Sequence, residues 1–234
     1  MKHIPRFYVE TELTTGRETR LSPDQAHHAV GALRLSVGSV VRAFNARFGE
    51  WNCEIIDAKK GLIKCVSLFR KAAVEKKGPT IACSLINPKR FDLLLEKGTE
   101  LGVAEIIPII SDYTQYRNMN VQKAKQKITQ ACEQCGRLDI PILQNPLSLR
   151  NFLVNYENNC TVLVGDERFL GDKLEDVIEE NCVFLVGPEG GFSDEEHNLF
   201  DAYKNVIKFS VGKNILKSET AAIVFISVWI YRFF

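Results

Sequence analysis

The 234-residue chain has no apolar run approaching the roughly 20 residues that a membrane-spanning helix needs. Its longest candidate, Ala221 to Tyr231, is broken by Ser227 and flanked by Glu219 and Arg232. The opening MKHIPRFYVE lacks the apolar stretch of a secretory signal, so the expected location is the cytoplasm. Net charge is nearly absent, +1 from 30 Lys plus Arg against 29 Asp plus Glu, and there is no internal repeat or low-complexity tract. With 45% hydrophobic and 25% charged residues, this balance excludes disorder, collagen and coiled coil and leaves one large domain or two small ones. A disulfide framework is lacking too. The seven cysteines, Cys53, Cys65, Cys83, Cys132, Cys135, Cys160 and Cys182, are an odd number scattered through apolar segments, where a free thiol acts as a small hydrophobe. That usage again points to a reducing compartment.

The small net charge hides an asymmetry. Cut at Gly78-Pro79, residues 1–78 hold 14 Lys plus Arg and 8 Asp plus Glu, net +6, whereas residues 79–234 hold 16 and 21, net −5. A small basic module suits a polyanion, since each neutralised phosphate releases counterions, although a solvated surface has the same composition. The first module reads as strands, Arg6 to Val9, Glu18 to Leu21, Ser39 to Asn45, Trp51 to Asp57 and Leu62 to Phe69, with glycine-marked turns. Ser22-Pro23-Asp24 opens one helix that should run to about Arg34. Short strands around one helix suggest a small β-barrel. The second module alternates apolar strands (Thr80 to Leu85, Glu105 to Ile110, Thr161 to Val164, Cys182 to Val186, Val206 to Ser210) with helices, an α/β pattern with a parallel sheet. Ligands of such sheets bind beyond the carboxyl ends of the strands.

Two strand-to-helix loops stand out. Val183 to Glu196 takes a buried strand through Gly187-Pro188-Glu189-Gly190-Gly191 into a helix with Ser193 as N-cap and Glu196 as its capping-box partner. Its glycines permit close backbone approach to a flat ligand. The Lys and Ser/Thr of a Walker loop are missing, as is G-x-G-x-x-G, so it is not a phosphate loop. The second loop, Val211 to Ala222, opens a helix at Ser218, the expected N-cap, that is apolar nearly all round and must be buried on several sides, inside the domain or against a second subunit.

Five segments occur together in order: H-H-A-V-G-A-L-R (27–34), K-G-T-E-L-G-V (97–103), A-C-E-Q-C-G-R (131–137), L-V-G-P-E-G-G-F-S (185–193) and I-L-K-S-E-T-A-A (215–222). The chain, from about Ile4 to Tyr231, resembles the 16S rRNA (uracil(1498)-N(3))-methyltransferase family of the SPOUT class. The resemblance implies an α/β fold with a SPOUT-type parallel sheet and trefoil knot over residues 79–234, and a PUA-like RNA-binding β-barrel over residues 1–72. It also implies a homodimer, S-adenosylmethionine (SAM) as methyl donor and 16S rRNA of the small ribosomal subunit as substrate, with no metal. The cofactor would lie on Val164 and Gly165, on Leu185, Gly187, Glu189, Gly190 and Gly191, and on Val211, Ile215, Leu216, Ser218, Thr220 and Ala221. Lys217 and Arg137 would favour the uracil anion or hold a flanking phosphate. Glu219 and Glu189 are candidates for the base, or for orienting the loop beside a helix start. The family usually has Pro-Arg where this chain has Lys213-Asn214, and Arg-Thr where it has Lys217-Ser218. Lysine keeps the charge but loses the planar fork.

RNA contacts are expected from Arg6, His27, His28 and Arg34 in the first module and Lys89, Arg90, Lys97 and Arg117 in the second. His27 and His28 point in different directions from one helix, one of them partly buried. Cys132-x-x-Cys135 stands without a second pair or a nearby His, so it reads as packing rather than as a zinc or redox site. The competing readings are the same chemistry on another RNA and a catalytically silent RNA-binding or assembly protein; the intact Gly187–Gly191 loop argues against decay.

Overall fold

The computed structural model describes residues 4–72, 78–157, 160–166, 168, 173–210 and 214–234, and the chain divides into two compact units. The first unit is Met1–Lys76 with Cys132–Ile140; the second is Lys77–Ala131 with Pro141–Phe234. The short segment 132–140 thus belongs with the first unit, which the sequence boundary does not foresee.

In the first unit, β1 (Arg6–Tyr8), β2 (Glu18–Arg20), β3 (Val40–Asn45), β4 (Gly49–Asp57) and β5 (Leu62–Arg70) form one sheet in the order β1-β3-β4-β5-β2. Only β1 runs parallel to its neighbour. The Ser22 hydroxyl accepts from the Gln25 N–H while the Gln25 side chain accepts from the Ser22 N–H, so the expected cap is present on α1 (Pro23–His27). The helix ends earlier than expected: His28–Ala32 widen into a π-type turn in which Ala29 alone is buried. Phe7, Leu13, Leu21, Val41, Ala43, Ile55 and Ile63 form the core between these elements.

Charge is buried in this unit as well as apolar surface. Glu50 receives Arg6 at 2.8 Å and Arg70 at 2.8 Å on its two oxygens, with Arg42 at 3.8 Å. Arg6 also donates to the carbonyls of Cys132 (2.7 Å), Glu133 (3.0 Å) and Arg137 (3.1 Å). These groups close the end of α3 (Val121–Cys135), where unpaired carbonyls and the negative end of the helix dipole attract a cation. Glu133 accepts in turn from the Tyr8 N–H and the Gln25 amide, and burial raises its pKa.

The second unit opens with β6 (Thr80–Ser84), α2 (Pro88–Glu100) and β7 (Glu105–Ile110). After α3 come β8 (Ile142–Leu143), β9 (Leu147–Ser148), α4 (Leu149–Tyr156), β10 (Thr161–Gly165) and α5 (Leu174–Val177). The chain ends with β11 (Cys182–Val186), α6 (Asp194–Ala202), β12 (Val206–Phe209) and α7 (Ser218–Phe233). The sheet order is β12-β10-β11-β6-β7-β8, with β9 also on β7, and every pairing is parallel. The two-residue strands and α5 are too short to leave a periodic signal in the sequence. From β6 the chain moves outwards through β7 and β8, then returns to fill the opposite side, so the reversal in strand order lies between β6 and β11. Phe184 stacks on Phe225 at 4.2 Å, and Trp229 donates to the Glu180 carbonyl, which fixes α7 to β11. Among the described residues no helix is long and apolar enough to cross a membrane.

Replacing Glu50 by Ala leaves the buried Arg6 guanidinium without its carboxylate, and should destabilise the first unit by about 3–5 kcal/mol. Urea unfolding followed by circular dichroism measures the loss.

Candidate active site at the carboxyl edge of the parallel sheet

The glycine loop is shaped by close packing. A Cβ on Gly187 would stand 3.0 Å from the Phe192 ring, and one on Gly190 would stand 3.3 Å from the Tyr113 Cβ. Gly191 has φ +70°, and its N–H closes the turn onto the Pro188 carbonyl at 3.0 Å. Ser193 caps α6 with Glu196 at its third position, as the sequence indicates. Glu196 reaches further: its other oxygen accepts from the Asp112 N–H at 2.9 Å, and Ser193 Oγ donates to Asp112 Oδ2 at 2.5 Å. Burial raises the Glu196 pKa, with the neighbouring Asp112 charge adding to it.

A hydrogen bond joins the loop before α7 to the glycine loop. Ser218 is not the N-cap; Lys217 holds that position with no side-chain bond to the helix, and the buried Ser218 hydroxyl donates to the Gly187 carbonyl at 2.7 Å. A helix start can use Lys at the cap when its hydroxyl residue is needed for a contact to another loop. Lys217, Ile215 and Thr220 are exposed, while Leu216 and Ala221 are half-buried. Val211, with Gly212 and Lys213, lies outside the described residues.

The third loop follows β10, whose Gly165 would bring a Cβ to 3.2 Å from the Phe184 ring beside the buried Val164 and Leu185. Asp166 bonds through its N–H to the Phe209 carbonyl, accepts from the Arg168 N–H and approaches His197 Nδ1 at 3.3 Å. Burial lowers the His197 pKa, against the opposing pull of Asp166.

At the reversal point between β6 and β11 the structure gathers Cys83, Glu189, Glu219 and Arg90. Arg90 lies 3.5 Å from Glu189 and 3.9 Å from Glu219, so it serves carboxylates of the site rather than the RNA contact expected of it. Glu219 is only 7% exposed, and its Oε2 has no hydrogen-bond partner among the described residues. A buried carboxylate oxygen without a donor is costly unless something fills the gap. Burial and the two carboxylates push the Cys83 thiol up. Cys83, Asp112 and Tyr113 carry no motif of their own, and their place in the site comes from pairing of β6 with β11 and from the Asp112–Ser193 bond.

Other expected residues fare differently. Arg6 is buried against Glu50 and helix carbonyls, which removes it from an RNA surface. Arg137 pairs with Asp139 at 2.6 Å within the first unit and is mostly buried, so it is not a free cation. Lys97 is ion-paired to Glu96 and Glu100 on its own helix. His27 and His28 are both exposed, against the expectation that one is tucked in, because the π-type turn buries only Ala29. Arg34 (φ +54°), Lys89 and Arg117 are exposed. The Cys132 thiol is buried, donates to the Asp139 carbonyl and is pushed up to about 12 by burial, while Cys135 is exposed.

Three loops meet at the carboxyl edge of a parallel α/β sheet, the place where such sheets bind their ligands. Residues 75–230 match the model of an RNA methyltransferase domain, and residues 21–66 match that of an RNA methyltransferase PUA domain. The ribosomal RNA small subunit methyltransferase E of Rickettsia conorii is 32% identical over 95% of this chain and 93% of its own. The enzyme of that name from Neisseria gonorrhoeae, solved with SAM bound, superposes with a TM-score of 0.81 at 26% identity over 97% of this chain and 96% of its own. A Legionella pneumophila structure holding SAM gives 0.87 at 27% identity over 98% of both chains. The chain belongs to this family of RNA methyltransferases.

Ser218→Ala removes the one hydroxyl donor on the buried Gly187 carbonyl, and should cost about 1–3 kcal/mol in urea unfolding of the second unit.

Proposed function

We propose that this protein transfers the methyl group of SAM to N3 of a single uridine in 16S rRNA of the small ribosomal subunit, at position 1498 in the family's naming. The observation that carries this reading is the buried Oε2 of Glu219, without a partner among the described residues, on the helix that Ser218 ties to the glycine loop. Residues 1–72 form the RNA-binding module, and residues 79–234 the methyltransferase domain, acting in the cytoplasm as a homodimer. A trefoil knot in the second domain is part of the same reading.

The chain's residues fit the cofactor. Backbone groups of Gly165, of Gly187 to Gly191 and of the loop before α7 hold it where side chains are absent or turned away. Bound there, SAM supplies a methyl group on a positively charged sulfur. Uracil N3 carries a proton with a pKa above neutrality, so forming the N3–methyl bond requires that proton to leave. Glu219 Oε2 accepts it, and Arg90 holds Glu219 and Glu189 in place through their other oxygens. Lys217, exposed at the start of α7, steadies the developing anion.

Labelled methyl transfer to small subunits from cells lacking the protein, mapped by reverse-transcriptase stops, should give one stop at one uridine. SAM binding without transfer would point to another RNA, and neither would leave a silent RNA-binding protein. Gly190→Val, which forces bulk against Tyr113, should abolish detectable SAM binding in calorimetry. Glu219→Gln should lower kcat by about 100- to 10,000-fold at neutral pH. The deficit should shrink as pH approaches the N3 pKa, because water then removes the proton.

A further inference from the structure

We propose that Tyr113 is the platform on which the target uracil stacks after leaving its place in the RNA, an inference that rests on the uridine reading above. The loop after β7 carries two exposed aromatic rings, Tyr113 at 52% and Tyr116 at 38% exposure, whereas Phe184, Phe192, Phe200, Phe209 and Phe225 of the same unit are buried. Water-exposed rings of this size forgo the gain of burial, which is recovered when a flat partner covers them.

The loop that carries them is fixed at several points. Asp112 is bonded through both its N–H and its carboxylate to the cap of α6, and the Ser111 N–H donates to Thr114 Oγ1 at 2.9 Å. Arg117 closes the loop by donating to the Asp112 carbonyl at 3.1 Å. Tyr116 is held in turn, its hydroxyl accepting from the amide of Asn87, the cap of α2. The same Asp112 anchor holds Tyr113 against the glycine loop: its Cβ and ring edge lie 3.3–3.7 Å from where a Gly190 Cβ would stand. A half-exposed aromatic side chain is therefore carried on an anchored loop beside the loop assigned to the methyl donor.

The chemistry requires such a surface. N3 lies on the Watson–Crick edge of uracil, where pairing hides it, so the base must be unpaired and turned out of its stack before N3 meets a methyl group. Single-stranded bases turned out in this way are held by stacking on aromatic side chains. A ring on a stapled loop gives up little motion when the base arrives, and the exposed Lys89 and Arg117 provide charge for flanking phosphates.

Tyr113→Leu should lower kcat/KM for small subunits about ten- to a hundredfold, the value of one base–aromatic stack, and leave SAM affinity within about twofold; Tyr113→Phe should restore the rate. Full activity in the Leu variant, or an equal loss in the Phe variant, would overturn the proposal. A second measurement does not depend on turnover: the unaltered protein is irradiated with a short RNA carrying 5-iodouridine, and adducts are mapped by mass spectrometry. An adduct on Tyr113 is expected, and labelling confined to other residues would refute the platform. Crosslinking at Tyr113 in a protein that methylates no subunit would defeat the acceptor assignment and leave the stacking surface standing.

Discussion

Parallel pairing is the constraint on which the second unit depends. Because β6, β7, β10, β11 and β12 all run the same way, the chain must cross back after each strand, and every strand delivers its following loop to one edge. The register aligns Gly165, Val186, Cys83 and Phe209 along that edge, so loops far apart in sequence become neighbours. Short contacts then fix the loops to one another: Ser218 to Gly187, Asp112 to Ser193 and Glu196, Asp166 to Phe209. Each uses a buried polar group that would otherwise be unsatisfied, which makes the arrangement specific as well as stable.

The first unit solves a different problem. Three arginines surround the buried Glu50, of which Arg6 puts its positive charge in the interior of a small basic module, and the carbonyls at the end of α3 also take bonds from Arg6. Arg70 adds a bond to the Gly136 carbonyl, so the segment 132–140 is held by two arginines, one from β1 and one from β5. A buried cluster of this kind contributes little net stability over an apolar core, but it is expensive to break by halves. Part of the basic charge that suggests a polyanion partner is therefore structural. Among its exposed residues are His27, His28 and Arg34.

At the site, small residues and unpaired charge divide the labour. Glycines bring the backbone close to Phe192 and Tyr113, where a side chain would not fit. Arg90 is shared by two carboxylates at distances too long for strong bonds, and one oxygen of Glu219 has no partner among the described residues.

The sequence by itself determined the alternation of strands and helices in the second unit, the capped start of α6 and the glycine loop, because these follow from local periodicity, capping chemistry and backbone freedom. Five ordered segments also determined the family, since matches that far apart do not arise from local propensity. Only the tertiary structure decided which charges are free. Arg6, Arg90, Lys97 and Arg137 read alike along the chain, and each has partners that only the fold reveals, between 1 and 131 residues away. The same holds for Ser218, which local rules make a cap and the fold turns into a bond to Gly187, and for Tyr113, an unremarked loop aromatic until Asp112 meets Ser193. Hydrogen bonds and ion pairs depend on distance in space, and a sequence records only distance along the chain.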